Sequence, residues 1–137
     1  MKFLKTLMLL AITLFSFNAV AREAVPIVNY DDIAVATNSG KAPSADQVKQ
    51  AIIAAASNKS WSIARQPDGK LLATLIVRNK HTIVVEIAYA ADTYSLRYKD
   101  SINMKFDQRD GQPVIHPYYN RWVQELKDAI RIELLKL

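Results

Sequence analysis

Two histidines and one dense run of ring, hydroxyl and amide side chains carry most of the chemistry available to this 137-residue chain. His116, Tyr118, Tyr119 and Asn120 stand together between Ile115 and Trp122. A histidine there could act as a general base while a tyrosine hydroxyl or the Asn120 amide fixes a ligand, so the string is a candidate polar cluster. The same spacing suits the start of a helix. His116 would satisfy backbone groups of the first turn, Tyr119 and Trp122 would pack inward, and Asn120 would tie the helix to a neighbouring loop. No acidic or hydroxyl partner stands at a diagnostic spacing, which makes the structural role the stronger expectation.

The other histidine, His81, falls in an expected hairpin loop. Neither histidine has a second one at i+3 or i+4, so no metal site and no cofactor is expected. The chain has no cysteine, which excludes thiolate metal centres, thiol catalysis and a lipobox anchor. Its serines lack G-x-S-x-G and S-x-x-K contexts, and glycines only at 40, 69 and 111 cannot build a phosphate loop. No catalytic residue is expected, although carboxylate chemistry leaves little linear trace.

Arg78, Lys80, Arg97, Lys99 and Lys105 form a candidate basic patch, but Glu86, Asp92 and Asp100 lie among them. A mixed, solvated surface is therefore the expectation there. Asn58-Lys59-Ser60 matches a glycosylation sequon, a motif that recurs by chance.

These groups must be positioned by a small set of elements. Residues 22–43 hold two prolines, Asp31-Asp32 and Thr37-Asn38-Ser39-Gly40, and read as an extended lead-in and loop with a candidate short strand at Ile33–Val35. Ser44-Ala45-Asp46-Gln47 reads as a capping box opening a helix to about Ser57. Four runs of β character follow: Trp61–Arg65, Leu71–Arg78, Thr82–Tyr89 and Tyr94–Lys99. Their connections, Pro67-Asp68-Gly69, Asn79-Lys80-His81 and Ala91-Asp92, are short enough to imply an antiparallel meander. If Ala91-Asp92 sets the register, Tyr89 faces Tyr94 and Glu86 faces Arg97 on the opposite surface. The register at Asn79-Lys80-His81 stays open: a one-residue shift exchanges Leu75 and Val77 with Leu72 and Ile76 as the inward set.

Tyr119, Trp122, Val123, Leu126, Ala129, Ile130 and Leu134 make an apolar stripe at helical spacing, with Pro117 suited to its first turn. The expectation is an α+β two-layer domain over residues 44–137: a four-stranded antiparallel meander between an N-terminal and a C-terminal helix, both helices on one sheet face. The other face, with Leu72, Ile76 and Val84, is more apolar than a solvated sheet requires.

Ahead of this domain, Lys2 and Lys5 precede an apolar run from Leu7 to Phe17, and Ala19-Val20-Ala21 has the small residues a signal peptidase needs. Residues 1–21 therefore read as a signal peptide cleaved before Arg22; the apolar run is short for a retained span of ~20 residues. Two of the 18 basic residues leave with it and all 13 acidic ones remain, so residues 22–137 carry a net charge of +3. That is far from the dense basic stripe of a nucleic-acid binder.

The combination of Trp61 opening a strand, Ile87-Ala88-Tyr89 paired with Tyr94-Ser95-Leu96-Arg97-Tyr98, Asp100-Ser101-Ile102-Asn103-Met104, and the run Ile115 to Trp122 resembles a group of small exported proteins and lipoproteins of proteobacteria. The resemblance spans residues 45–137. Its most specific part is the I-H-x-x-Y-N-x-W string carried by Ile115, His116, Tyr119, Asn120 and Trp122. It implies a periplasmic location and no particular reaction. Members with a lipobox would be membrane-tethered, and this chain departs from them in having no cysteine.

The function expected is a non-catalytic periplasmic or secreted binding module of the cell envelope. It would act through a sheet surface that includes Thr74, Glu86, Arg97 and Lys99, or through an exposed edge. Its partner would be an envelope protein or a second copy, with no nucleic acid and no stable membrane anchor after cleavage. The alternatives are an inhibitor or sensor of a secreted enzyme presenting the polar loop Asp107–Gln112, and a small-ligand binder or enzyme with a pocket near His116.

Overall fold

A computed structural model describes residues 23–137; the expected signal peptide and its cleavage point before Arg22 lie outside them. Local signals fix both helices. Ser44 Oγ accepts the Gln47 N–H and Gln47 Oε1 accepts the Ser44 N–H, the reciprocal pair that Ser-x-x-Gln allows. Helix α1 (Ala45–Asn58) follows and buries Val48, Ala51, Ile52, Ala55 and Ala56. Helix α2 (Tyr118–Leu135) begins just after Pro117 and buries Tyr119, Val123, Leu126, Ala129, Ile130 and Leu134. Each buried set repeats at three and four residues, so one stripe of each helix meets the core.

Among the described residues eight strands complete the α+β fold: β1 (Val25–Pro26), β2 (Tyr30–Ala34), β3 (Ser62–Arg65), β4 (Leu71–Val77), β5 (His81–Tyr89), β6 (Thr93–Ile102), β7 (Asp107–Arg109) and β8 (Gln112–Ile115). They form a five-stranded antiparallel sheet ordered β2-β6-β5-β4-β3 and a three-stranded one ordered β1-β8-β7. The expected four-stranded sheet is thus corrected to five strands, with a second small sheet beside it. Two of the extra strands come from the lead-in: β1, whose Val25 pairs with Ile115, and β2, which overlaps the candidate strand Ile33–Val35 but starts earlier, with Tyr30 paired to Leu96. Such short segments pair with partners far along the chain, and their own composition carries little strand signal. The expected loop Asp107–Gln112 is also corrected: it is the hairpin β7–β8, turned at Asp110 and Gly111 with φ of 51° and 75°.

The connection between β4 and β5 sits one residue earlier than its sequence suggests. Arg78 and Asn79 both have positive φ, 57° and 51°, and the Lys80 N–H donates to Val77 O at 3.1 Å, a type I′ geometry. His81 is consequently the first residue of β5 rather than part of the loop. Arginine gives no cue for a left-handed position, which is why composition misplaces this turn. Leu71, Ala73 and Leu75 then face Ile87, Val85 and Ile83, which fixes the inward set. At the next turn Tyr89 faces Tyr94 and Glu86 faces Arg97, as Ala91-Asp92 predicts.

Both helices pack on this inward face. Their buried residues join Trp61, Leu71, Ala73, Ile83, Val85, Ile87, Tyr94 and Leu96 in one core, closed at one end by Met104 and Ile115. Between Val84 and Val85 the ladder slips by one residue, leaving Lys99 as the extra residue of a bulge in β6.

Candidate functional site

Strand alternation sends every second residue to the face that neither helix covers. Three rows cross it. Leu72 stands beside Glu86 and Arg97, Thr74 beside Val84 and Asp100, and Ile76 beside Thr82 and Ile102. The composition of this face grades from charged to apolar along the strands.

At the charged end Glu86 and Arg97 are neighbours without being ion partners. Glu86 lies 3.4 Å from Lys70 Nζ and 3.8 Å from Lys99 Nζ, while Arg97 Nη2 pairs with Asp31 Oδ1 at 2.7 Å. Strand β2 carries its own bulge between Tyr30 and Ile33; within it Asp32 takes a φ of 51° and its N–H donates to Ser95 Oγ at 2.9 Å. Together Asp31, Asp32, Lys70, Glu86, Ala88, Ser95 and Arg97 line an open concavity of about 360 Å³. Composition pointed to Glu86 and Arg97 but missed Asp31, Asp32 and Lys70. The adjacent aspartates of the lead-in were the one available signal, and only long-range pairing of β2 gives it meaning.

The sequence-expected basic patch divides in two. Arg97 and Lys99 are engaged by carboxylates as just described. Arg78, Lys80 and Lys105 form no ion pair among the described residues. They sit at the opposite end of the face, where Ile76 and Ile102 are 59% and 62% exposed. That end is held in shape by two contacts between loops. His81 Nδ1 lies 2.7 Å from Asn103 O, and Asn103 Nδ2 donates to Lys80 O at 3.2 Å. A carbonyl only accepts, so the Nδ1 nitrogen carries the proton of that histidine.

The candidate polar cluster occupies a different place, the start of α2. His116 N–H donates to Met104 O at 2.8 Å, and His116 Nδ1 accepts the Tyr118 N–H at 3.1 Å. That acceptor role puts the histidine's proton on Nε2 and commits Nδ1 to the first helical turn. The rings of His116 and Tyr118 lie 4.6 Å apart, and that of Tyr118 lies 5.6 Å from Trp122. Asn120 reaches away from this stack. Its Oδ1 accepts the Val28 N–H at 3.0 Å and its Nδ2 donates to Pro26 O at 2.9 Å, clamping the β1 segment onto the helix.

Tyr119 is fully buried beneath the cluster, edge-on to Tyr98 with ring centres 5.5 Å apart. Among the described residues its Oη has no hydrogen-bond partner, and burial drives its ionisation well above the ordinary tyrosine range. Tyr94, in the core, is pushed up to about 12, again by burial, with Arg131 opposing the shift. His116 and Tyr118 therefore stack together at the start of α2, while Asn120 reaches to the β1 segment and Tyr119 points into the core.

The helix layer has its own groove of about 270 Å³, lined by Asn58, Lys59, Glu125, Asp128, Ala129, Ile132 and Glu133. Its carboxylates are partly occupied: Glu133 Oε1 takes Lys136 Nζ at 2.8 Å and Asn58 Nδ2 at 3.3 Å. Comparison of the chain with protein-family models, with curated proteins and with solved structures gives no match.

Proposed function

We propose that the chain is an exported, non-catalytic binding module of the cell envelope that receives a protein partner on its uncovered sheet face. The observation that carries this reading is the one-sided layering. Two helices cover one face of a five-stranded sheet, and the other keeps half-buried Leu72, Thr74 and Val84 next to a charge network, with no element among the described residues laid over it. A solvated sheet face gains nothing from apolar residues at its centre, whereas an interface core does. The ring of charges around Glu86 and Arg97 supplies the polar rim that gives such an interface its register.

Replacing Thr74 by Lys places a cation in the centre of the face, opposite the apolar Val84, without touching the core. Loss of the co-purifying protein with an unchanged melting temperature is the expected result; retention of that protein refutes the reading. Export is tested separately by the N-terminal residue of the protein recovered from the cell envelope. Arg22 is expected, and an intact Met1 in the cytosolic fraction contradicts it.

The inhibitor reading draws on one feature, the exposed β7–β8 hairpin whose turn residues Asp110 and Gly111 project from the second sheet. Exchanging Asp107–Gln112 for a Gly-Ser linker should then abolish inhibition of the target enzyme. Unchanged inhibition removes that reading.

A further inference from the structure

The open face ends at the β4–β5 turn in a pattern that its charged end lacks. Ile76 and Ile102 flank Thr82 across three neighbouring strands and are more than half exposed, an arrangement that costs solvation and contributes nothing to the core. Around them stand Arg78 and Lys80 in the turn and Lys105 in the adjoining loop, all exposed and all without an ion partner among the described residues. The bonds from His81 and Asn103 lock the two loops to each other, so these cations share one end of the molecule. The nearest carboxylate on the face, Asp100, stands further in, beside Val84, and accepts the Ser101 N–H. Asp107 belongs to the second sheet.

Exposed branched aliphatics framed by unpaired cations match a surface that is apolar below and anionic above. We propose that this end docks on an anionic lipid surface, with Ile76 and Ile102 entering the acyl boundary and Arg78, Lys80 and Lys105 meeting phosphate oxygens. The long basic stems cover apolar surface while their charged ends stay in the headgroup layer. Three cations and two aliphatic side chains give a reversible association, not an anchor. The inference goes beyond the protein-binding face, since it uses a separate end of the sheet and stands without a protein partner.

Co-sedimentation of the protein, purified as the cell processes it, with phosphatidylcholine vesicles doped with phosphatidylglycerol tests the proposal. Binding to the doped vesicles and not to phosphatidylcholine alone is expected, weakening as salt screens the charges. The triple variant Arg78→Asn, Lys80→Gln, Lys105→Gln should lose binding on the order of 100-fold, about fivefold for each cation removed. Asparagine is chosen at 78 because it tolerates the positive φ there. A second reporter is independent of those substitutions: the emission of Ile102→Trp should shift to the blue on doped vesicles only. Equal binding by the parent and triple variant, or an unshifted Ile102→Trp spectrum, overturns the proposal. So does retention on polyglutamate with no binding to either vesicle, which would identify an acidic polypeptide as the occupant. Failure here leaves crosslinks from the centre of the face unaffected, so the two proposals fail separately.

Discussion

Replacing Asn120 by Ala tests whether the polar string at the start of α2 is a clamp or a ligand site. The side chain makes two bonds to the backbone of the β1 segment, one from Val28 N–H at 3.0 Å and one to Pro26 O at 2.9 Å. A neutral hydrogen bond contributes about 1 kcal/mol net. Val28 is 43% exposed, so its freed N–H regains water and adds no large desolvation penalty. The expected loss is therefore about 1–2 kcal/mol, a melting-temperature drop of roughly 4–8 °C for a domain of this size.

The effect should also be local. Among the described residues, strand β1 is otherwise hydrogen-bonded through the Val25–Ile115 and Pro26–Val114 pairings and the Ile27 N–H to Pro113 O bond at 3.1 Å. Amide exchange at Ile27 and Val28 should rise before exchange in β5. Asn120→Asp keeps the acceptor for the Val28 N–H and loses the donor to Pro26 O, so amide exchange at Val28 should stay closer to that of the parent than in Asn120→Ala. An unchanged melting temperature and unchanged Val28 exchange in Asn120→Ala, together with loss of a bound ligand, would refute the clamp.

Tyr119→Phe removes a buried hydroxyl that has no partner among the described residues, so stability should stay level or rise by up to about 1 kcal/mol; a loss above about 1 kcal/mol in thermal denaturation would show that the hydroxyl is satisfied in solution. Tyr94, with its folded-state pKa pushed up to about 12, resists ionisation relative to the unfolded chain, whose tyrosines titrate near about 10. Stability should accordingly hold below pH ~10 and fall as pH rises from there towards 12, and Tyr94→Phe should weaken that fall. Arg97→Ala should shift the melting temperature by no more than about 1 kcal/mol equivalent, because both partners of its ion pair with Asp31 are about half exposed. A larger loss would make the network structural and weaken its assignment to an interface rim.

What could be read in advance follows from how locally each element is specified. Ser44 and Gln47 are three residues apart and cap each other, so α1 was legible from one tetrapeptide. The stripe from Tyr119 to Leu134 identified α2 in the same way. The strands β4, β5 and β6 declared themselves by alternation, and the Ala91-Asp92 turn gave the Glu86–Arg97 register. The ion partners were not legible, because Arg97 takes Asp31 from a strand that forms only by long-range pairing. Strands β1 and β8 were missed because each is short and pairs with the other across most of the chain, β2 was only touched by the candidate strand Ile33–Val35, and the local hairpin β7–β8 was missed because its polar residues carry little strand signal. The Lys99 bulge leaves no sequence mark at all. Most residues of the open face and its mixed charge were therefore visible beforehand, but not which ions pair.

Photo-crosslinking inside the cell, from a reactive side chain at Thr74 and in parallel from one at Gln124 on the exposed side of α2, probes the uncovered face most directly. One discrete protein adduct from Thr74 and none from Gln124 is the predicted result. Identical products from both positions, or none from Thr74, would contradict a partner seated on the sheet.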